Sequence, residues 1–154
     1  MADDPRTPVI EALVAAYVEF FGRHDAAALT TCYAPDADLA NFHGKPLHGK
    51  EEIQAFFARA FQKNLAAVRL ENPEHRVRYV ADHVATLDLS ATISGEKDPK
   101  GAPRPPRVLR CDGTLVQNPN GGWWIVVGHL RLQNPEGSGG KGAPSAGPPA
   151  DADS

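Results

Sequence analysis

The sequence has little of what several classes of protein need. Only two of its 154 residues are cysteines, Cys32 and Cys111, and neither belongs to a Cys-x-x-Cys pair. This usage indicates core thiols in a reducing compartment rather than a disulfide scaffold. No apolar run approaches the roughly eighteen residues of a membrane span, and the acidic N-terminal residues do not fit a secretory signal. We therefore expect a cytoplasmic protein without a membrane partner.

The chain also lacks a large excess of either sign of charge. The chain has 16 Lys and Arg against 19 Asp and Glu, a formal net charge of −3 and a pI of about 6.0. Because phosphate binding needs clustered Lys and Arg, we expect no nucleic-acid partner. The six histidines lack the spacing of a metal site such as His-Glu-x-x-His, and no phosphate-binding loop or Gly-x-Ser-x-Gly elbow is present. Neither a metal nor a cofactor is predicted.

Large apolar residues are missing from the C-terminal stretch 134–154, which is rich in glycine, proline and alanine. Such a stretch cannot bury enough surface to offset its conformational entropy. We predict a folded domain over residues 6–133 and a flexible tail over 134–154. A shorter stretch of similar composition, residues 95–106, lies between two strand-like runs and predicts a long mobile connection.

The hydrophobic period changes near the middle of the chain. In the first half, apolar residues recur every three or four positions in three segments, the first starting at Thr7-Pro8, where Thr7 can cap the helix. Asp25 can cap the second, short helix. In the second half, apolar and polar residues alternate, as in the runs 107–117 and 122–132. Three helices followed by strands predict an α+β fold, a cone in which the helices pack on a curved, mostly antiparallel sheet.

Four short strings carry a resemblance to a known family. They are the His-Asp turn at 24–25, Tyr-Ala-Pro-Asp-Ala at 33–37, His-Gly-Lys-Glu-Glu-Ile at 48–53 and Gly-Trp-Trp-Ile at 122–125. The chain resembles the nuclear-transport-factor-2-like superfamily, above all its bacterial SnoaL-like branch, which also resembles ketosteroid isomerase. The resemblance implies a cone whose open end admits an apolar small molecule. It leaves the function open, because this fold hosts isomerases and cyclases as well as modules without catalysis.

The resemblance to ketosteroid isomerase also implies site residues. Tyr17 stands where that enzyme has the tyrosine that donates to the substrate oxyanion. The general-base position holds Asn41, whose amide cannot abstract a proton, and the position of the protonated acid holds Thr114. Asp112 shares the face of Thr114 and can replace that acid if this face points into the cone. The apolar residues that alternate with them favour the opposite orientation.

The last strand has one face with Trp123, Ile125, Val127, His129 and Arg131, and a second face with Trp124, Val126, Leu130 and Leu132. Family geometry implies that the Trp123 face points inward, which brings His129 toward the cavity as an alternative acid or base. The second face is apolar as well and must be covered. We therefore predict a homodimer formed through the outer face of the sheet.

Three functions remain open at this stage. The first is an enzyme that moves a proton on an apolar ring compound without a cofactor, using Tyr17 with Asp112 or His129. The second is a binding protein for the same kind of small molecule. Its polar groups would be Tyr17, Asn41 and Thr114, and its apolar walls would come from Phe20, Phe56, Leu87, Leu89 and Trp123. The third is a dimeric protein-interaction module that resembles the nuclear transport relatives. The residues favour a pocket protein, with catalysis undecided.

Overall fold

The computed structural model describes residues 4–134. The predicted tail therefore lies, apart from Asn134, outside the described residues. The elements follow in the order α1 (Arg6–Gly22), α2 (Ala26–Thr30), β1 (Tyr33–Ala40), β2 (Pro46–His48), α3 (Gly49–Gln62), β3 (Arg69–Ala81), β4 (Val84–Ser94), β5 (Arg107–Gln117) and β6 (Trp123–Gln133). Among the described helices, none combines the length and the hydropathy needed to cross a bilayer.

The six strands form one sheet in the order β2-β1-β6-β5-β4-β3. Every neighbouring pair is antiparallel except β1 and β6, which run parallel. The sheet is curved and open, and the three helices complete an α+β cone. The predicted fold class is confirmed.

The helix starts show which local signals were correct. Asp25 caps α2 as predicted, since its Oδ1 accepts a hydrogen bond from the backbone N–H of Ala28 at 3.0 Å. The cap predicted at Thr7 is wrong, because α1 begins at Arg6, its N-cap residue is Pro5, two positions earlier, and no side chain caps it. The Thr7 hydroxyl lies 2.7 Å from that of Tyr79 and ties α1 to β3 instead.

The core lies between the helices and the inner face of the sheet. In β5, Leu109, Cys111 and Leu115 are buried, whereas the residues between them are only partly covered. The aromatic side chains of the helices fill the space above, with the ring centroids of Phe21 and Phe61 5.2 Å apart. Arg110, Asp112 and Thr114 therefore lie on the outer face, in the orientation that the apolar alternation of β5 favoured.

A β-bulge at Val126 divides β6 into two parts. Leu115 of β5 lies opposite Ile125, but the preceding Thr114 lies opposite Val127, so that Val126 is an extra residue. An extra residue reverses the faces of everything that follows it in the strand. Beyond the bulge Leu130 is buried, whereas Val127 is 49% exposed.

The bulge overturns the predicted orientation of the second half of β6. The prediction that Val127, His129 and Arg131 point inward is wrong, because uninterrupted alternation was assumed through position 126. Leu130 belongs to the core, and Leu132 packs against it. They are not part of an outer apolar face.

Candidate functional site

A cavity of about 580 Å³ lies between the second half of α3 and the connection between β4 and β5. Phe56, Arg59 and Lys63 line it from α3, and Glu96 and Arg104 line it from the connection. Its volume falls in the range of about 300–1,000 Å³ that is typical of small-molecule sites.

The connection 95–106 forms one wall of this cavity because it folds back on itself. Gly95 has φ +88°, and a Cβ there would lie 2.2 Å from the carbonyl oxygen of Ala67, so only glycine allows this close approach. The backbone N–H of Lys97 then donates to the carbonyl of Asn64 at 3.0 Å, and Lys97 bridges to Pro103. The segment predicted to be a mobile connection is a small hairpin pinned against the end of α3.

Glu96 is the buried charge of the site, with 2% of its surface exposed. Arg107 donates to its carboxylate from Nε at 3.0 Å and from Nη2 at 2.6 Å. The Nε of Arg104 lies 3.7 Å from the same carboxylate, beyond hydrogen-bond distance. Sequence reasoning missed Glu96. The surrounding segment is rich in glycine and proline, which is the composition of a solvated loop, and a glutamate in such a loop is expected to be exposed.

The opposite wall of the cavity is aromatic. Phe42 and Phe56 are both half-buried, with ring centroids 5.6 Å apart, and Leu132 lies at the same cavity. Asn41 positions Phe42, since its Oδ1 accepts hydrogen bonds from the backbone N–H groups of His43 at 2.9 Å and Lys45 at 3.0 Å. Asn41 thus shapes the turn before β2 and is not among the residues that line the cavity.

Tyr17 lies in the packed core, 2% exposed, and does not line the cavity. Its hydroxyl is 2.8 Å from that of Tyr33 and accepts a hydrogen bond from the Cys111 thiol at 3.5 Å. Burial raises the pKa of both tyrosine hydroxyls well above the usual value and that of Cys111 to about 11. All three groups therefore stay neutral near pH 7, and the Tyr17 hydroxyl is hydrogen-bonded to the other two.

Asp112, Thr114 and His129 come together, but on the outer face of the sheet. Asp112 lies directly opposite His129 in the β5–β6 ladder, and its carboxylate accepts a hydrogen bond from Arg131. All three candidates line a shallow outer depression. Because Tyr17 lies on the inner side, the structure separates it from both predicted acids or bases.

The remaining predicted ligand contacts divide between cavity and core. Phe56 lines the cavity, whereas Leu87, Leu89 and Trp123 are buried in the core. Phe20 is half-buried and packs against that core. Within residues 4–134, no group of three or more His, Cys, Asp and Glu could hold a metal ion.

The sequence profile described as the SnoaL-like domain matches residues 14–117, more than half of the chain. The chain belongs to the SnoaL-like family. The match runs from α1 into β5 and so includes the aromatic wall and the hairpin that enclose the cavity. Among proteins of curated function, none matches this SnoaL-like chain significantly.

Solved structures share the fold of this SnoaL-like protein. An uncharacterised protein with a cystatin-like fold from Caulobacter vibrioides superimposes with a TM-score of 0.74 at 21% identity, covering 86% of this chain and 93% of that one. A ketosteroid isomerase-like protein from Erwinia carotovora atroseptica gives 0.73 at 19% identity, covering 86% and 100%. An NTF-2 like protein of unknown function from Shewanella oneidensis gives 0.60 at 16% identity, covering 81% and 98%. These likenesses establish the fold.

Proposed function

We propose that this SnoaL-like protein binds a small molecule with an apolar ring in the cavity between α3 and the hairpin 95–106. The observation that carries the proposal is the cavity of about 580 Å³ with the Phe42–Phe56 pair on one wall. Aromatic side chains bind a ring by offset stacking or edge-to-face contact and by removing it from water.

Proton transfer by the predicted residues is not part of this proposal. Tyr17 is engaged in the core, and Asp112 and His129 lie on the outer face of the sheet. A catalytic pair must reach one substrate from within hydrogen-bond distance, and no single bound molecule can meet these groups on both sides of the sheet. Binding is the function that the geometry supports.

Binding in the cavity can be tested with a panel of ring compounds and two phenylalanine variants. We expect compounds that bind to shift the amide NMR signals of residues 56–64 and 96–104. Phe56→Ala removes one ring from the cavity wall and should weaken binding about tenfold, in line with the apolar area lost. The matched control Phe20→Ala removes a ring that packs elsewhere and should leave the affinity unchanged. A panel that shifts none of these signals would overturn the proposal.

Tyr17→Phe separates this proposal from a site centred on Tyr17. The variant keeps the ring but removes the hydroxyl that contacts Tyr33 and Cys111 in the core. The free energy of unfolding should therefore fall by about 1 kcal/mol in a denaturant titration. Ligand affinity should not change, because Tyr17 does not line the cavity. A folded variant that no longer binds the panel would place the site at Tyr17 after all.

We also propose that the protein forms a homodimer through the outer face of β5 and β6. Support comes from Trp124 and Val126, which are only partly buried, and from Val127, which is 49% exposed. On the same face Asp112 and Arg131 pair with each other, so this part of the face carries no net charge that would repel a second copy across a twofold axis.

We also propose that the protein is cytoplasmic. Both cysteines are free and buried, as core thiols in a reducing compartment would be.

A further inference from the structure

We infer that the ligand of the cavity is a small carboxylic acid with a ring, and that Arg104 binds its carboxylate. This inference rests on the proposed function, since it names the chemical class of molecule that the same cavity takes. It is carried by an imbalance of charge around Glu96.

Glu96 is one carboxylate between two guanidinium groups. Arg107 makes both hydrogen bonds to it, and the side chain of Arg107 is only 15% exposed. This pair is neutral as a unit. Arg104, 3.7 Å from Glu96, is the second cation and leaves the group with one positive charge in excess. A ligand carboxylate supplies the one negative charge that balances it.

The guanidinium of Arg104 has hydrogen-bonding capacity to spare. Its Nε is buried and has no hydrogen-bond partner within the described residues. A buried donor without a partner is unfavourable, and a guanidinium presents donors in the planar fork that matches a carboxylate. Arg104 lines the cavity, so an entering carboxylate can reach it.

The rest of the cavity favours an anion as well. Five cationic side chains and two carboxylates line it, although the chain as a whole carries a formal charge of −3. Within residues 4–134, three of those cations, Arg59, Lys63 and Lys97, form no ion pair. The second carboxylate, Asp98, is held by its own turn, since its Oδ1 accepts from the backbone N–H groups of Lys100 and Ala102.

The two halves of the cavity thus fit the two halves of one molecule. The Phe42–Phe56 wall contacts the ring, and the Arg104 wall binds the carboxylate. A neutral ring compound contacts only the Phe42–Phe56 wall and leaves the positive charge of Arg104 without a partner in the ligand.

Matched acids and amides test this assignment by isothermal titration calorimetry. The probes are benzoate, cyclohexanecarboxylate and 2-naphthoate, each compared with its own primary amide, which keeps the ring and removes the charge. We expect at least one acid to bind about tenfold or more tightly than its amide, with an affinity that falls as salt is added. In Arg104→Gln the acid should lose that advantage while the amide binds as before. Arg78→Gln, an exposed arginine of β3 away from the cavity, is the control and should change neither affinity.

The outcomes separate this inference from the proposed function. Acids and amides that bind equally well would overturn the carboxylate assignment and leave the ring-binding cavity standing. Acids preferred equally by the wild type and by Arg104→Gln would overturn the role of Arg104. If no probe binds and no ring compound shifts the cavity's amide signals, both the assignment and the proposed function fail.

Discussion

Glu96→Gln should lower the free energy of unfolding by about 3 kcal/mol, since breaking a buried ion pair leaves an uncompensated charge behind. The amide keeps the shape of the side chain but removes the charge that Arg107 binds through two hydrogen bonds. For a protein of this size, that corresponds to a fall in melting temperature of roughly 6–12 °C. Differential scanning calorimetry measures it directly.

An exposed ion pair of the same residue types is the control for this variant. Glu19 lies in the last turn of α1 and pairs at 2.7 Å with Arg23, the residue that follows the helix, and more than half of each side chain is exposed. Glu19→Gln should therefore cost less than about 1 kcal/mol. Equal, small losses in the two variants would show that the carboxylate of Glu96 is solvated and that the hairpin does not close the cavity.

Leu130→Glu should prevent folding, whereas Val127→Glu should not. Leu130 is fully buried after the bulge, and a carboxylate in that position has no partner, which costs more than about 4 kcal/mol. Val127 is 49% exposed, and glutamate there reaches water, so the loss should be less than about 1 kcal/mol. Circular dichroism and denaturant titration distinguish the two variants.

The same pair of variants tests the face of β6 and the proposed dimer. An uninterrupted strand would bury Val127 and expose Leu130. A larger loss of stability in Val127→Glu than in Leu130→Glu would therefore contradict the bulge. For the dimer, sedimentation velocity should show that Val127→Glu weakens self-association of a protein that still folds. A wild type that is monomeric at high micromolar concentration would overturn the dimer.

Local signals in the sequence were sufficient for the fold class. The helical spacing of apolar residues, the Asp25 cap and the change to strand alternation all depend on neighbours within a few positions. The same kind of signal favoured the outer placement of Asp112, because β5 alternates without interruption. The resemblance carried by the four strings at 24–25, 33–37, 48–53 and 122–125 predicted the family, which the match over residues 14–117 confirms.

Tertiary structure alone decided the site. An extra residue at position 126 has no local signature in an apolar strand, and it becomes visible only through pairing with β5, which turns His129 outward. Glu96 is buried only because Gly95 brings the hairpin against Ala67 and because Arg107, eleven residues further on, lies beside it in the fold. The sequence by itself determined an α+β cone, since its helices and strands follow from short-range periodicity, and its four short strings carried the resemblance to the SnoaL-like family. The location and charge of the cavity follow from long-range contacts, which no short window of the chain contains.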